Sequence, residues 1–378
     1  MADQGVMERL LFEILKFDTQ NPPGRERVLA GWIAGYLADT GCITTVQPVT
    51  EGRANVVARI KGRSPEGALL LNGHLDTVPY GSAGWTTPPG VATRSGDDVI
   101  ARGASDMKGG LAAALYAFRE YARSGVTPRT DILFAGTADE ESGGLGAKAL
   151  CESGLLAGVS SIVIGEPTGN ALGLAAKGAI WLEASVSGRV SHGAYPERGV
   201  NAIEGAMRFA EGIRRLLTGA HPLLSPPTAT VTGLTGGVKQ NMVPDAATLR
   251  MDVRTTPGIE HEALIASFHK LASEMSRDGL AIGLQVLNDR MAVTVSEDAP
   301  VAALLSKSFE SALGRALRLT GTAFFSDASV FLRHGTYQAV LFGPGESDQA
   351  HTPGERLSLA AYRDSVRVYR RLLQDWGG

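Results

Sequence analysis

The chain reads as an α/β protein whose central sheet is interrupted by an inserted α+β unit. Short apolar strands alternate with helical segments across residues 55–170, the pattern of a sheet with helices on its faces. After about Gly173 the strands alternate apolar with polar residues, in the order strand-helix-strand-strand-helix-strand. That order describes a compact, ferredoxin-like α+β unit whose sheet covers one side of two helices. From about Asp298 the α/β pattern returns, so the second unit is inserted into the first. The expected division is residues 1–172, an insertion over 173–290, and 291–378 closing the first domain. At 378 residues the chain exceeds the usual size of a single core, which also favours two domains.

Taken in order, Met7–Phe17 has helical apolar spacing and stops before the breaker Asn21-Pro22-Pro23-Gly24. Arg27–Thr40 reads as a second helix closed by Gly41. Asn55–Ile60 and Ala68–Leu71 read as short strands, the latter running into NGHLDTVP at residues 72–79. Asp98–Ala101 is strand-like, and a helix begins near Lys108 after the loop ARGASD. The strand Asp131–Ala135 leads into GTADEESGG, Ala147–Glu152 is helical, and the strand Ser161–Ile164 ends in GEPT. In the insertion, strands are expected at Ala179–Ser187, Thr228–Leu234, Ala247–Arg254 and Ala281–Leu287, with helices at Gly199–Leu217 and Glu260–Arg277. A helix at Pro300–Leu313, a glycine-rich turn with FFSDAS, a strand at Ala339–Phe342 and a final helix at Leu359–Trp376 complete the chain.

Composition removes several function classes. Apolar residues at 44% and charged residues at 20% are those of an ordinary globular protein. A net charge of −3 with no basic run gives no footing for nucleic acid. No run approaches the apolar length of a membrane span, and the N-terminus reads as an amphipathic helix rather than a signal peptide. Cys42 and Cys151 lack metal-type spacing and read as two free, buried thiols in a reducing, cytoplasmic setting.

The chemistry gathers at strand ends, where α/β sheets form ligand crevices. Glu140 and Glu141 stand side by side after an apolar strand; such a pair is either an exposed acidic turn or a metal ligand beside a proton carrier. His74 and Asp76 are two apart and can face one side, so that Asp76 accepts the second ring N–H of His74. Asp106 in GASDMKGG suits a helix N-terminus as a cap or as a ligand. Glu166 and His351 follow later strands, and each alone could be a solvated loop residue. Together, two histidines and three carboxylates suit a pair of zinc ions about 3.5 Å apart, with Asp106 shared between them and Glu140 left as the base.

The segments GHLDTVP, GASDMKGG, TADEESGG, GEPT and AHTPGE resemble, in order over nearly the whole chain, the co-catalytic zinc amidohydrolases and peptidases. Acetylornithine deacetylase, succinyl-diaminopimelate desuccinylase, aminoacylase and glutamate carboxypeptidase belong to that family. The resemblance implies a three-layer α/β/α zinc-hydrolase domain with an inserted lid and dimerisation domain. It implies that His74, Asp106 and Glu166 hold one ion and Asp106, Glu141 and His351 the other, with Asp76 orienting His74 and Glu140 as general base. It also implies a cis peptide after Asp106.

Within the insertion, His192 matches a histidine that reaches across a homodimer to the scissile carbonyl oxygen. Asn241 and Arg254 match substrate contacts, Arg254 pairing with a substrate carboxylate. His192 could equally cap a helix, and Arg254 could be an ordinary strand-end charge. His221, His261, His269 and His334 carry no motif and read as structural or surface residues. The implied reaction is hydrolysis of the amide of an N-acyl amino acid, or of a dipeptide, with two divalent ions, zinc before cobalt or manganese. A zinc-free binder of amino-acid derivatives would lack ligands or base, and all seven positions are filled. A lidless aminopeptidase would lack the long insertion.

Overall fold

The computed structural model describes residues 2–82 and 84–378. The chain divides into two compact units, one formed by residues through Leu174 with Val295–Thr322 and Ser326–Gly378, the other by Ala175–Thr294 with Ala323–Phe325.

In the first unit the strands lie in the spatial order Ile43–Thr50, Arg53–Ile60, Thr130–Thr137, Ser64–His74, Val159–Ile164, Gln338–Leu341 and Leu172–Ala176. Ser64–His74 is parallel to both Thr130–Thr137 and Val159–Ile164, and Gln338–Leu341 is parallel to Val159–Ile164. Those four strands therefore end along one edge of the sheet. Every residue of Thr130–Thr137 is buried. Successive side chains point to opposite faces, so both faces of the sheet are covered. The helices Gly109–Arg123 and Leu359–Gly377 pack against each other, with Ala2–Leu15 and Pro300–Leu313 beside them. Leu145–Glu152 packs with Ala328–His334.

Several short elements, Leu172–Ala176 and Arg356–Ser358 among them, lie outside the sequence reading, and two others depart from it for clear local reasons. Ile43–Thr50 forms a strand that the polar run ITTVQPVT and its Pro48 did not announce; it is the edge of the sheet, where proline is tolerated. Ala328–His334 is a helix of 7 residues, too short for its periodicity to show. The cysteines differ from expectation as well: both are free but half-buried rather than buried.

The loops at the strand ends approach closely because of glycines. A Cβ on Gly110 would stand 1.8 Å from the Gly165 carbonyl oxygen, and one on Gly345 would stand 2.2 Å from the Ser105 carbonyl oxygen. Only backbone fits there, and the turns carrying Asp106, Glu166 and His351 are pressed together. The peptide between Asp106 and Met107 is cis, as are Asn21–Pro22 and Pro22–Pro23.

The second unit is a four-stranded antiparallel sheet ordered Thr228–Gly236, Ala246–Thr255, Gly178–Ser187, Ala281–Arg290. Two helices, Ala202–Leu216 and His261–Met275, bury Phe209, Ile213 and Phe268 with Leu182, Leu249 and Val253 of the sheet. The helix Ala202–Leu216 starts where Asn201 accepts the N–H of Ile203 and Glu204, an N-cap.

Gly110→Ala should destabilise the protein by about 1–3 kcal/mol through overpacking. Gly31→Ala, in the helix Glu26–Tyr36 with nothing within 4 Å, should be neutral or slightly stabilising. Chemical denaturation of the two variants checks the contrast; equal stability would remove the close-approach account.

Candidate metal centre

Asp106 stands in a turn over Ala104–Lys108, just before the helix Gly109–Arg123, with its own backbone outside helical angles. Its Oδ1 lies 3.0 Å from His74 Nε2 and its Oδ2 lies 3.3 Å from His351 Nε2. His351 Nε2 is also 3.0 Å from Glu141 Oε2. One ligating atom each from His74, Asp106 and Glu141 falls within 4.8 Å of the others. Glu166 is buried, and its charge is felt together with those of His74, Asp106 and Glu141. His74 is the last residue of its strand, so the strand itself aims the imidazole.

Asp76 acts differently from expectation. The atom nearest His74 Nδ1 is the Asp76 main-chain oxygen at 3.0 Å, whereas its Oδ1 lies 3.6 Å away. A carbonyl can only accept, so Nδ1 carries a hydrogen, and Nε2 is the nitrogen that faces Asp106. The Asp76 carboxylate is occupied elsewhere: Oδ1 accepts the N–H of Glu140 and Oδ2 that of Glu141, both at 3.1 Å. It thereby holds the acidic turn by its backbone.

Sequence reasoning missed the residues that complete this frame. Asn21, read only as part of a chain breaker, donates through Nδ2 to Asp76 Oδ2 and Asp139 Oδ1, each at 2.9 Å. Arg53 donates to Asp139 at 2.7 Å and Glu26 at 3.0 Å. Asp139 itself has a left-handed φ of 68° and accepts the N–H of Gly143 and Leu145. Asp327, from the FFSDAS turn, is buried and accepts from Thr137 Oγ1 at 2.6 Å. The FFSDAS turn held the only signal for it, an acidic residue beside apolar ones.

The electrostatics are those of a place built for a cation. Burial works against the charge of Asp106, but hydrogen bonds from His351 and His74 prevail and hold it below the usual carboxylate range. Hydrogen bonds that His351 donates to Asp106 and Glu141 lift it to about 11. Burial opposes the charge on His74, yet Asp106 raises it well above the ordinary value. Burial pushes Glu140 well up; the nearby His74 lowers it, and Glu166, Asp327 and Glu141 add to the rise. Glu141 Oε1 is buried with no hydrogen-bond partner among the described residues. An orphaned carboxylate oxygen is costly, and a divalent ion would satisfy it. The imidazole and carboxylate donors present suit zinc and its neighbours.

In the second unit, His192 and Asn241 are neighbours. His192 pairs with Met242 across two short strands, and the N–H of Gly193 donates to the Asn241 oxygen at 2.8 Å. Both side chains are exposed. Arg254 sits near the far end of the strand Ala246–Thr255, eight residues and roughly 26 Å along it from Ala246 at ~3.3 Å per residue. It pairs with Asp252 at 2.9 Å, and its buried Nη1 has no hydrogen-bond partner among the described residues. His261, unassigned by motif, is a buried structural residue bonded to Thr255 Oγ1 at 2.7 Å and Asp289 at 2.5 Å.

Histidines and carboxylates thus converge beyond the carboxyl ends of parallel strands in an α/β fold, a donor set that could hold a metal ion. Residues 70–375 match the model of peptidase family M20/M25/M40, and the chain belongs to that family of metal-dependent hydrolases. It is 35% identical to acetylornithine deacetylase from Myxococcus xanthus, over 80% of this chain and 79% of that protein. It is 27% identical to a probable succinyl-diaminopimelate desuccinylase from Staphylococcus epidermidis, over 96% and 95% of the two chains. In fold it is similar to an M20 family metallo-carboxypeptidase from Sulfolobus solfataricus, with a TM-score of 0.83 at 18% identity over 98% and 99% of the chains. A tripeptidase from Staphylococcus aureus gives 0.82 at 19% identity, over 98% of each chain. Among the described residues, no helix is long and apolar enough to cross a membrane.

The neighbouring carboxylates raise His74 and lift His351 to about 11, which favours the protonated imidazoles when no metal is bound. A divalent ion must displace such protons. Calorimetric titration with Zn²⁺ or Co²⁺ in buffers of different ionisation enthalpy should therefore show proton release; a binding heat independent of the buffer would contradict the site.

Proposed function

We propose that the protein hydrolyses the amide bond of an N-acyl amino acid, of the acetylornithine deacetylase and succinyl-diaminopimelate desuccinylase kind. The observation that carries this reading is buried Glu140 standing beside the His74–Asp106–Glu141 cluster. The deacetylase and desuccinylase relatives, aligned over most of this chain, favour deacylation over the dipeptidase or carboxypeptidase alternative. The solved peptidases, at 18–19% identity, speak for the fold alone.

His74, Asp106 and Glu166 would hold one divalent ion, and Asp106, Glu141 and His351 a second, zinc before cobalt or manganese. Such ions supply Lewis acidity, which acidifies water and polarises an amide carbonyl. Glu140, whose carboxyl retains a proton more readily than an exposed glutamate, takes a proton from the attacking water and passes it to the leaving amine nitrogen. Asp76 keeps Glu140 in place through the main-chain N–H it accepts. The nucleophile adds to the carbonyl carbon, the C–N bond breaks, and a carboxylate and a free amine result. Arg254, whose Nη1 has no hydrogen-bond partner among the described residues, would bind the carboxylate of the amino acid.

His192 would donate to the developing oxyanion from a second copy of the chain, because within one copy it lies a strand length from Arg254. A homodimer through the inserted unit follows from that assignment. The division at residues 173 and 290 is retained as the proposed extent of that unit.

A panel of N-acetyl-, N-succinyl- and N-aminoacyl-amino acids with metal-loaded enzyme tests the proposal. Turnover of blocked amino acids is expected; cleavage of free dipeptides alone would establish the peptidase alternative, and ion binding without any turnover the binder. Glu140→Ala should retain its metal while kcat falls about 10²–10⁴-fold. A near-native rate would take the base role from Glu140. Arg254→Ala should raise KM for substrates with a free carboxylate and leave their amides unaffected; equal losses on both would remove the carboxylate contact.

A further inference from the structure

We infer that Glu355 is the positioning residue that fixes Asp106 against His351, and so governs the affinity of the cation site; this rests on the metal-centre reading above. Glu355 is fully buried and both of its oxygens are used. Oε2 accepts from Arg102 Nη1 at 2.8 Å and from the N–H of Gly103 at 2.9 Å. Oε1 accepts from the N–H of Ser105 at 2.8 Å and of Asp106 at 3.0 Å. Three of these four donors are main-chain amides of the turn that carries Asp106. That turn begins with Gly103 at a left-handed φ of 81° and leaves helical angles at Asp106 and Met107, so it cannot satisfy these amides as a helix would.

Glu355 lies four residues after His351 on the same loop. The Glu355 main-chain oxygen accepts the N–H of Ala101 at 3.1 Å, and Arg102 Nη1 also reaches the Thr352 oxygen at 3.3 Å. Beyond it, Arg356–Ser358 pairs with Asp98–Ile100. The loop that delivers His351 is thereby fastened to the segment that delivers Asp106. His351 needs this, because its side chain is 53% exposed and its own packing holds it weakly. A shorter aspartate would fall one methylene short of the amides. Glutamine would turn an NH₂ group toward two N–H donors and lose one pair of bonds.

The test compares wild type with Glu355→Gln and Glu355→Asp by calorimetric titration with Zn²⁺ or Co²⁺. Amide hydrogen exchange over residues 101–108 is followed in the metal-free proteins. Ion affinity should fall about 10–100-fold in Glu355→Gln, the usual effect of losing a partner that orients ligands. Exchange should accelerate over 101–108 while the strand Thr130–Thr137 keeps its protection. Arg102→Ala, which removes one side-chain donor and spares the three amides, should lose much less affinity. Unchanged ion affinity in Glu355→Gln would overturn the inference, as would loss of protection spread over the whole sheet. If Glu355→Gln does not fold, Glu355→Asp decides by the same two readouts. If the wild type takes up no ion, the metal-centre reading fails, and local against global exchange alone decides the role of Glu355.

Discussion

One carboxylate held between two imidazoles organises the strand-end edge of this sheet. Asp106 offers one oxygen to His74 and the other to His351, two residues 277 positions apart in the chain. Such sharing works only if the carboxylate cannot rotate away and water cannot compete for it. Burial supplies the second condition and also penalises the charge, so the two imidazoles must more than offset that penalty. The close approach of glycine backbones around Gly110 and Gly345 brings the three loops near enough for the contact to form.

Around that contact the chain concentrates more acid than base. Asp76, Glu140, Glu141, Glu166 and Asp327 are largely or wholly buried; burial, with repulsion from neighbouring carboxylates added to it, raises Glu140 and Glu166 well above their usual range. Backbone amides and the side chains of Asn21 and Arg53 quiet the outer members of the group. Glu141 keeps one buried oxygen without a hydrogen-bond partner among the described residues, which a proton or a cation would satisfy. A buried cluster that is unfavourable on its own becomes favourable when a divalent ion joins it, and metal binding and local stability are then coupled.

The inserted unit shows why a fold can separate parts that chemistry must reunite. Its four-stranded sheet carries Arg254 near one end, while His192 and Asn241 belong to a separate two-stranded pairing that follows Ser187 and precedes Ala246 at the other end. A strand of 10 residues is rigid along its length, and no side-chain rotation bridges it. If both ends serve one substrate, as proposed, a second copy has to contribute one of them. The exposed His192 and the orphaned Nη1 of Arg254 are the two groups that such an assembly would use.

The order of elements, the strand ends and the residue types at them were legible in the sequence, because burial on both faces writes continuous apolar runs such as ILFA and because glycines mark where those runs stop. His74, Asp106, Glu141 and His351 could be named because each stands at, or in the loop beyond, such a run within a motif that resembles the zinc hydrolases. The frame behind them was not legible. Asn21 looks like a breaker, Asp139 like part of an acidic turn, Glu355 like a loop charge, and Asp327 like a turn residue, since hydrogen bonds between residues 55 to 252 positions apart leave no local pattern. Nor could spacing tell that Asp76 meets His74 with its carbonyl and gives its carboxylate to the amides of Glu140 and Glu141. Periodicity reports which face of an element is buried; which atom of a buried side chain meets which donor is settled only when the loops pack.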